Sequence, residues 1–278
     1  MIADLAVELM HATVQIEQPL GDGTRTVGTG FLINAPTPDG QPRTVLVTAS
    51  HVLQRMPGAQ ARIGYRIANA DGSWSYAPQN FEIRDAEGAP RWTQHPSRDV
   101  AAITITAPPA FARAAIPTDW LARDETFATY AVGAGDQMMA LGFPRGLSAN
   151  PAGFPILRAG RVASFPLAPV TAFPTFLLDF TVFPGNSGGP VFMAEGLRRR
   201  PGGGEIQEVQ FIAGLLTQQV ELKRERLEIG IVTHARYIHE TLSLLDDPQA
   251  EVSEAQTDAA LVGGAKAVSA LEAVSPDH

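Results

Sequence analysis

Residues 183–190 read FPGNSGGP and place a single serine, Ser187, among three glycines and two prolines. Very little side-chain bulk surrounds its hydroxyl. Glycine, proline, asparagine and serine are also the residues that form ordinary turns, each for its own backbone reason. The stretch therefore indicates either a plain turn or a reactive hydroxyl left open to another molecule, and the rest of the chain has to distinguish the two.

The composition is that of a globular protein. The chain has 278 residues, of which 45% are hydrophobic and 18% charged, which suffices to bury a substantial core. Its net charge of -8 argues against nucleic acid as a partner, because phosphate-binding surfaces cluster lysine and arginine. The absence of cysteine excludes a disulfide framework, a thiolate nucleophile and a cysteine metal site, and favours the cytoplasm as the location.

Neither a signal peptide nor a membrane span is expected. The first residues, MIADLAVELMHATVQIEQ, carry Asp4 and Glu8 where a signal peptide would have its apolar segment. No window approaches the roughly 18 to 20 uninterrupted apolar residues that a membrane span requires. We therefore expect a soluble protein that does not bind membranes.

Short runs rich in valine, isoleucine, threonine and phenylalanine, separated by turn residues, extend from about residue 12 to residue 233. This spacing is typical of an all-β sandwich or barrel. It predicts two packed antiparallel barrels of about six strands each, with the junction near residues 110–135. The predicted strands are TVQIE, GTGFLIN, TVLVTAS, ARIGYRI, AAITIT, QMMALGF, GRVASFP, TFLLDFT, PVFMA, VQFIAGLLTQ and EIGIVTH.

Helices are predicted at the two ends of this β-rich region. One covers Ala3–Met10, and a stronger one covers Ala235–Leu245, where apolar residues recur every three to four positions. We expect one domain over residues 1–246, followed by a loosely ordered acidic, alanine-rich tail over residues 247–278. The charged stretch LRRRPGGGE, residues 197–205, is interpreted as an exposed hairpin loop.

A serine hydroxyl needs a general base, and the base needs a group that orients it. His51 follows the apolar run TVLVTAS directly, which places it at the end of a strand. Asp99 opens the run AAITI, where a buried carboxylate is costly unless it is paired. Asp179, within LLDFTVF, is a second candidate for a buried polar role. His234 and His239 lie five residues apart, without a carboxylate pattern, so we expect no metal site.

Three motifs together carry a resemblance to a known family. TASHV, RDVAAI and PGNSGGPV stand in the chain order His, Asp, Ser, with 48 residues from His51 to Asp99 and 88 from Asp99 to Ser187. This pattern resembles the trypsin/chymotrypsin-like serine peptidases. GTGFLIN before the histidine and ALGFPRG before the serine are similar to the bacterial, disulfide-free branch of high-temperature-requirement proteases.

The resemblance implies a serine endopeptidase that acts on protein or peptide substrates and needs no cofactor. It assigns the nucleophile to Ser187, the general base to His51 and the orienting carboxylate to Asp99. It further implies an oxyanion hole made by the N–H groups of Gly185 and Ser187. The residues that it places in the substrate pocket are Thr181 at the base and Thr217, Gln218, Gln219 and Gly230 along the walls. Because Thr181 carries no charge, we expect a small or medium apolar side chain at P1, the substrate residue before the cleaved bond.

The chain departs from the secreted members of that family at Asn186. Those members have an aspartate at this position, which pairs with a newly cut N-terminus, whereas asparagine offers no charge. We therefore expect a chain that is competent without N-terminal cleavage, or one that is gated by loop ordering or by a regulatory partner. The segment after the last predicted helix, about 30 residues, is too short for the peptide-binding domain that many relatives append.

Two other functions fit the same residues. A binding or scaffold module could keep the fold without turnover, and an acyl hydrolase could use the same chemistry on esters. Covalent labelling of the serine and the comparison of ester with peptide substrates distinguish these alternatives.

Overall fold

A computed structural model describes residues 4–198, 207–222 and 225–248 of the chain. The N-terminal half forms one sheet of eight strands in the order β5-β4-β1-β2-β3-β7-β6, with β8 parallel to β2. Every other pair in this sheet is antiparallel. Its strands are β1 (Thr13–Pro19), β2 (Arg25–Asn34), β3 (Thr44–Thr48), β4 (Gln60–Ala68), β5 (Trp74–Glu82), β6 (Thr93–Gln94), β7 (Ala101–Ile105) and β8 (Ile116–Pro117).

The C-terminal half forms a closed barrel of six antiparallel strands in the order β10-β11-β14-β13-β12-β9. These are β9 (Gln137–Gly142), β10 (Ile156–Val162), β11 (Thr175–Asp179), β12 (Pro190–Arg198), β13 (Gln207–Leu222) and β14 (Glu225–His234). The predicted double-barrel, all-β fold is therefore confirmed. The first sheet differs from the expected six strands, because it also contains the two-residue strands β6 and β8.

Within the described ranges, five α-helices surround the sheets: α1 (Leu5–Ala12), α2 (Ser50–Gln54), α3 (Pro109–Ala114), α4 (Thr126–Thr129) and α5 (Arg236–Asp246). Asp4 caps α1 by accepting a hydrogen bond from the Ala6 N–H at 3.0 Å, which explains why that helix begins two residues later than predicted. The connection between the two sheets contains α3, β8, a 3₁₀ turn at Thr118–Trp120 and α4. No helix in the described ranges is long and apolar enough to cross a membrane.

All eleven predicted strand runs overlap observed strands, although GRVASFP does so only over residues 160–162. The two-residue strands β6 and β8 were not predicted, and neither was the longer β5. Its side chains are mostly exposed, since it lies at the outer edge of the first sheet and pairs only with β4. A strand that buries neither face has no apolar alternation for a sequence pattern to detect. The loop LRRRPGGGE and the acidic tail lie outside the described residues, apart from the end of β12 and residues 247–248.

A single cluster of buried apolar side chains runs through both halves. It includes Leu5 and Leu9 of α1, strand residues of both sheets, and Tyr237 and Ile238 of α5. Because α5 packs on β6 and β7, this helix at the end of the described residues returns to the first sheet. This return brings the C-terminal helix against the loop that carries Asp99.

Candidate active site

The register of β3 with β7 brings Asp99 to His51. Thr48 pairs with Ala101 in this antiparallel ladder. Ser50, two residues after Thr48, therefore lies opposite Asp99, two residues before Ala101. The chain leaves β3 at Thr48 and enters α2 at Ser50, which puts His51 in the first turn of a short helix. The prediction placed His51 at a strand end without this helix, because five residues are too few to show helical periodicity.

Both carboxylate oxygens of Asp99 accept hydrogen bonds from this helix. Oδ2 lies 2.6 Å from Nδ1 of His51, and Oδ1 accepts from the His51 backbone N–H at 3.0 Å. Oδ1 also accepts from the Ser50 hydroxyl at 2.7 Å. The buried-looking carboxylate of the sequence is thus paired, and Ser50 is a further partner that the sequence analysis did not identify.

The pKa of Asp99 lies below its ordinary value of 3.8. Burial acts to raise this pKa, but the hydrogen bonds from His51 and Ser50 and the charge of His51 together outweigh burial. Asp99 is therefore a carboxylate at neutral pH and accepts a hydrogen bond from the protonated Nδ1 of His51. The neutral imidazole of His51 then carries its free lone pair on Nε2.

Phe183–Asn186 form a type II turn immediately before Ser187. The Asn186 N–H donates to the Phe183 carbonyl at 3.0 Å, Pro184 stands at the second position, and Gly185 has φ +96° at the third. A type II turn demands positive φ at its third position, which is why glycine is there. A Cβ on Gly185 would also lie 2.3 Å from the Phe143 carbonyl oxygen.

The direction of the Pro184–Gly185 peptide is fixed by the segment after β9. The Arg145 N–H donates to the Pro184 carbonyl oxygen at 2.6 Å. Because the peptide is planar and trans, the Gly185 N–H points the opposite way, away from Arg145. Among the described residues, no acceptor hydrogen-bonds the N–H of Gly185 or of Ser187. Two backbone donors next to the Ser187 hydroxyl are therefore available to an anionic oxygen.

Thr29 of β2 joins this turn to the first sheet. Its N–H donates to the Ser187 carbonyl at 2.9 Å, and its hydroxyl donates to the Gly185 carbonyl at 2.6 Å. Thr29 is fully buried. The sequence analysis did not identify it, although it lies within the quoted run GTGFLIN, because a strand threonine has no signal of its own.

Gly188 allows the serine turn, residues 183–187, to lie close to α2, the helix that carries His51. Its φ is +87°, and a Cβ would lie 2.1 Å from the Thr29 carbonyl oxygen, 2.2 Å from Oγ1 of Thr48 and 3.0 Å from the Ala49 nitrogen. Thr48 and Ala49 are the residues from which the chain turns into α2. The structure thus brings Ser187 to the start of the helix that carries His51.

The Ser187 hydroxyl donates to the Thr217 carbonyl at 3.2 Å, and no hydrogen bond joins it to His51. Rotation of the Ser187 side chain to another staggered rotamer is a low-barrier change. Serine–base hydrogen bonds are commonly loose or absent before a substrate binds.

The residues predicted for the substrate pocket lie on the adjacent strands β13 and β14 and, in the case of Thr181, just beyond the end of β11. Thr217 is on β13, buried, and donates its hydroxyl to the Ile231 carbonyl of β14 at 3.2 Å. Gln218 and Gln219 follow it and pair with Ile231 and Gly230, while their side chains lie outside the described part of the structure. Gly230 is buried.

Val182, rather than Thr181, faces Gly230. A Cβ on Gly230 would lie 3.0 Å from Cγ2 of Val182, and half-buried Thr181 contributes none of the three atoms nearest to that position. The alternation of side chains after β11 explains the difference, because neighbouring residues point to opposite sides. The same alternation leaves Asp179 exposed, so its interpretation as a buried polar residue was wrong.

The loop that carries Asp99 is held by α5. His95 is fully buried, and its Nδ1 accepts from the Ser97 N–H at 3.2 Å. Its Nε2 lies 2.9 Å from a carboxylate oxygen of Glu240, whose other oxygen accepts from Nε of Arg236 at 2.8 Å. Neither His95 nor Glu240 was singled out by the sequence, since 145 residues separate them.

Comparison with known proteins establishes the family. Residues 28–197 match the family model described as trypsin-like peptidase domain, and this range includes His51, Asp99 and Ser187. The match covers more than half of the chain. The chain therefore belongs to the trypsin-like peptidase family. A comparison with curated proteins found no match.

Solved structures with the same fold include the HtrA-type protease AlgW with a tripeptide, which is 16% identical with a TM-score of 0.55. That match covers 94% of this chain and 71% of AlgW. A variant of AlgW with a tripeptide is 15% identical with a TM-score of 0.54 and is covered over 63% of its length, less than two thirds. At such identities, the likeness shows a common fold. The described residues hold the two sheets and their helices and no further domain.

Proposed function

We propose that this chain is a serine endopeptidase that cleaves peptide bonds through an acyl-enzyme intermediate. The observation that carries the proposal is the pairing of Asp99 with both Nδ1 and the backbone N–H of His51. This pairing lies at the start of α2, against which Gly188, the residue after Ser187, packs closely. Family membership supports a peptidase. The structures of AlgW with bound peptides support a peptide as substrate.

In the proposed mechanism, Ser187 rotates from the Thr217 carbonyl toward Nε2 of His51. As its oxygen attacks the substrate carbonyl carbon, His51 takes the hydroxyl proton and then gives it to the leaving amine. Asp99 keeps the imidazole in the required tautomer and stabilises its charged form. Water then attacks the acyl-enzyme, again with His51 as the base.

Charge that develops on the substrate oxygen is received by the N–H groups of Gly185 and Ser187. One such donor contributes about 3 to 4 kcal/mol to lowering the barrier in comparable sites. The hydrogen bond from Arg145 to the Pro184 carbonyl supports this assignment, because it keeps that carbonyl out of the space where the anion forms.

The pocket proposed for the P1 side chain lies beside Gly230, Val182 and Thr217, with Thr181 and the backbone of Gln218 and Gln219 at its edges. No charged side chain contributes to it among these residues. A small or medium apolar P1 residue is therefore the proposed preference, and a preference for lysine or arginine in a P1 series would contradict it.

Activity is proposed not to require N-terminal cleavage. Asn186 is the buried last residue of the type II turn, and its side chain offers no charge to pair with a new N-terminus. Ile16 is fully buried in β1 and pairs with both β2 and β4, so a cut near this residue would remove a central strand of the first sheet. Activity that appears only after such a cut would contradict the proposal.

A fluorophosphonate probe, read by intact mass, tests the proposed function directly. Wild type should gain one probe adduct, and Ser187→Ala and His51→Ala should gain none. Ser148→Ala, which removes an exposed serine, is the matched control and should label like wild type. Folded wild-type protein that gains no adduct would favour the alternative of a silent binding module, and labelling combined with turnover of esters alone would favour an acyl hydrolase.

A further inference from the structure

Two arginines stack on the aromatic ring that begins the serine turn. The guanidinium carbon of Arg145 lies 5.5 Å from the centre of the Phe183 ring, and that of Arg158 lies 5.6 Å from the same centre. Arg158 also lies 5.7 Å from the ring of Phe180. Two like charges are thus held on one side chain, only four residues before Ser187.

Arg145 also contacts the proposed active site through its backbone. Arg145 donates its N–H to the Pro184 carbonyl, within the turn that orients the Gly185 N–H. Its φ is +52°, in the left-handed region that residues other than glycine rarely adopt. Such backbone strain is concentrated at functional sites, where the surrounding structure has to enforce it.

Within the described part of the chain, neither guanidinium has a carboxylate partner or a hydrogen bond. Several arginines elsewhere do have a carboxylate partner: Arg25 pairs with Glu17, Arg43 with Asp246 and Arg236 with Glu240. The protein as a whole carries a net charge of -8. Two cations without an anion beside the proposed nucleophile are therefore a local exception to the charge of the molecule.

A guanidinium that lies over an aromatic ring and makes no hydrogen bond keeps its N–H groups free for a ligand. Those donors match the two oxygens of a carboxylate, which arginine binds in a bidentate manner. The ring of Phe183 restricts both arginines beforehand, so that less rotamer freedom is lost when an anion binds. The arrangement therefore suits an acidic side chain close to the bond that is cleaved.

We propose that Arg145 and Arg158 form a cationic rim that selects peptides with aspartate or glutamate within two residues of the scissile bond. This inference rests on the proposed endopeptidase function. The acidic residue is not P1 itself, because the pocket beside Val182 and Gly230 carries no charge. The rim adds a charge requirement at a flanking position to the apolar P1 preference.

The test is a set of otherwise identical peptides with a constant apolar P1 residue and Asp, Glu, Asn, Gln or Lys scanned from P2 to P2′. For wild type, we expect kcat/KM to be roughly tenfold higher for the acid than for the matched amide at one position, since a charge-assisted hydrogen bond is worth about that factor. The ratio should fall with added salt, as it must for a partly exposed ion pair.

Arg145→Gln combined with Arg158→Gln should bring the ratio of acid to amide close to one, and the two Arg→Lys substitutions should retain part of it. Arg113→Gln is the matched control, because Arg113 is an exposed arginine on α3 without a carboxylate partner in the described ranges. It should keep the wild-type ratio. An acid-to-amide ratio near one in wild type at all three scanned positions, P2, P1′ and P2′, or an unchanged ratio in the double variant, would overturn the rim.

Binding to Ser187→Ala separates this inference from the proposed function. Labelled acidic and amide peptides are titrated against that variant, with and without the two Arg→Gln substitutions. Acid-selective binding that disappears with the arginines supports the rim, even if wild type neither labels with fluorophosphonate nor cleaves. Equal binding of the acid and the amide overturns the rim, even if wild type is an active peptidase.

Discussion

The carboxylate of Glu240 lies 2.9 Å from Nε2 of His95, and this contact fastens the C-terminal helix to the loop that presents Asp99. His95 accepts the Ser97 N–H on Nδ1, so its neutral ring must carry the proton on Nε2 and donate it to Glu240. Arg236 holds the second oxygen of the same carboxylate. Glu240, which is far from Asp99 in sequence, thus restricts the loop that carries Asp99, the orienting carboxylate of the proposed triad.

Removal of the Glu240 carboxylate should destabilise the protein and lower its activity together. Glu240→Ala leaves the buried N–H of His95 without this acceptor, at a cost of about 1 to 3 kcal/mol in the free energy of unfolding. Glu240→Gln keeps an acceptor oxygen and should restore most of both losses. Urea unfolding and kcat/KM measured on the same preparations check this, and an equal loss in both variants would mean that the Glu240 charge, rather than its acceptor oxygen, holds the loop.

Asp99→Asn should leave the fold intact and nearly abolish turnover. An amide at this position can donate to Nδ1 and so favours the tautomer of His51 that lacks a free Nε2 lone pair. The same change in a serine peptidase triad lowers kcat by roughly 10⁴-fold. Ser50→Ala, which removes one hydrogen bond to Asp99 and leaves the tautomer unchanged, should cost about tenfold or less. A turnover number for Asp99→Asn within tenfold of wild type would remove Asp99 from the proposed triad.

Gly188→Ala should be far more harmful than the same substitution at Gly23. Both glycines have nearly the same backbone, with φ +87° and +86°. A Cβ on Gly188 would lie 2.1 Å from the Thr29 carbonyl oxygen, whereas Gly23 has no atom within 4 Å of its Cβ position. Gly23→Ala therefore measures the cost of the left-handed conformation alone, about 1 to 2 kcal/mol.

The excess loss in Gly188→Ala measures the clash between the serine turn and the first sheet. We expect at least 2 kcal/mol of additional destabilisation, roughly the scale of overpacking in a core, together with loss of fluorophosphonate labelling. Chemical denaturation of the two variants beside wild type provides the numbers. If the two variants lose equal stability, Gly188 does not pack as closely against Thr29 and Thr48 as described.

The sequence predicted those parts of the fold that depend on local pattern. Among strands longer than two residues, each one that buries an apolar face was predicted, and β5 was missed because both of its faces are largely exposed. His51, Asp99 and Ser187 could be selected individually, since each follows or opens an apolar run or lies among glycines. Only the family resemblance could predict that these three residues lie close together, because the register of β3 with β7 cannot be read from either strand separately.

The residues that support the site carry no local signal. Thr29 is one of two threonines in β2, and Glu240 is one acidic residue on an amphipathic helix. Their importance arises from contacts with residues more than a hundred positions away, such as Gly185 and His95. The contact of Val182 with Gly230 depends on the side-chain alternation after β11, whereas the assignment of its neighbour Thr181 to the pocket base came from the family resemblance.

His234 should make the protein less stable in weak acid. This residue is buried, and its Nδ1 accepts the Arg236 N–H at 3.3 Å, while its ring packs 4.7 Å from that of Phe127. Burial, followed by the positive charge of Arg236 and the proximity of His239, lowers the pKa of His234 from 6.5 to about 3. Between these two pH values, the unfolded chain binds a proton at this position and the folded chain does not.

Stability must therefore fall as the pH decreases from 6.5 toward 3, by about 1.4 kcal/mol per pH unit for this one group once the pH is well below 6.5. In His234→Gln, the slope between pH 6 and pH 4.5 should be shallower by about that amount, whatever the substitution costs at pH 8. The free energy of unfolding in urea, measured at half-unit steps, checks the slope. His11 and His239 also have lowered pKa values and act in the same direction, so both proteins should retain some acid sensitivity. Parallel curves for the two proteins would show that His234 becomes protonated without unfolding, and that its ring is more accessible to water than its surroundings indicate.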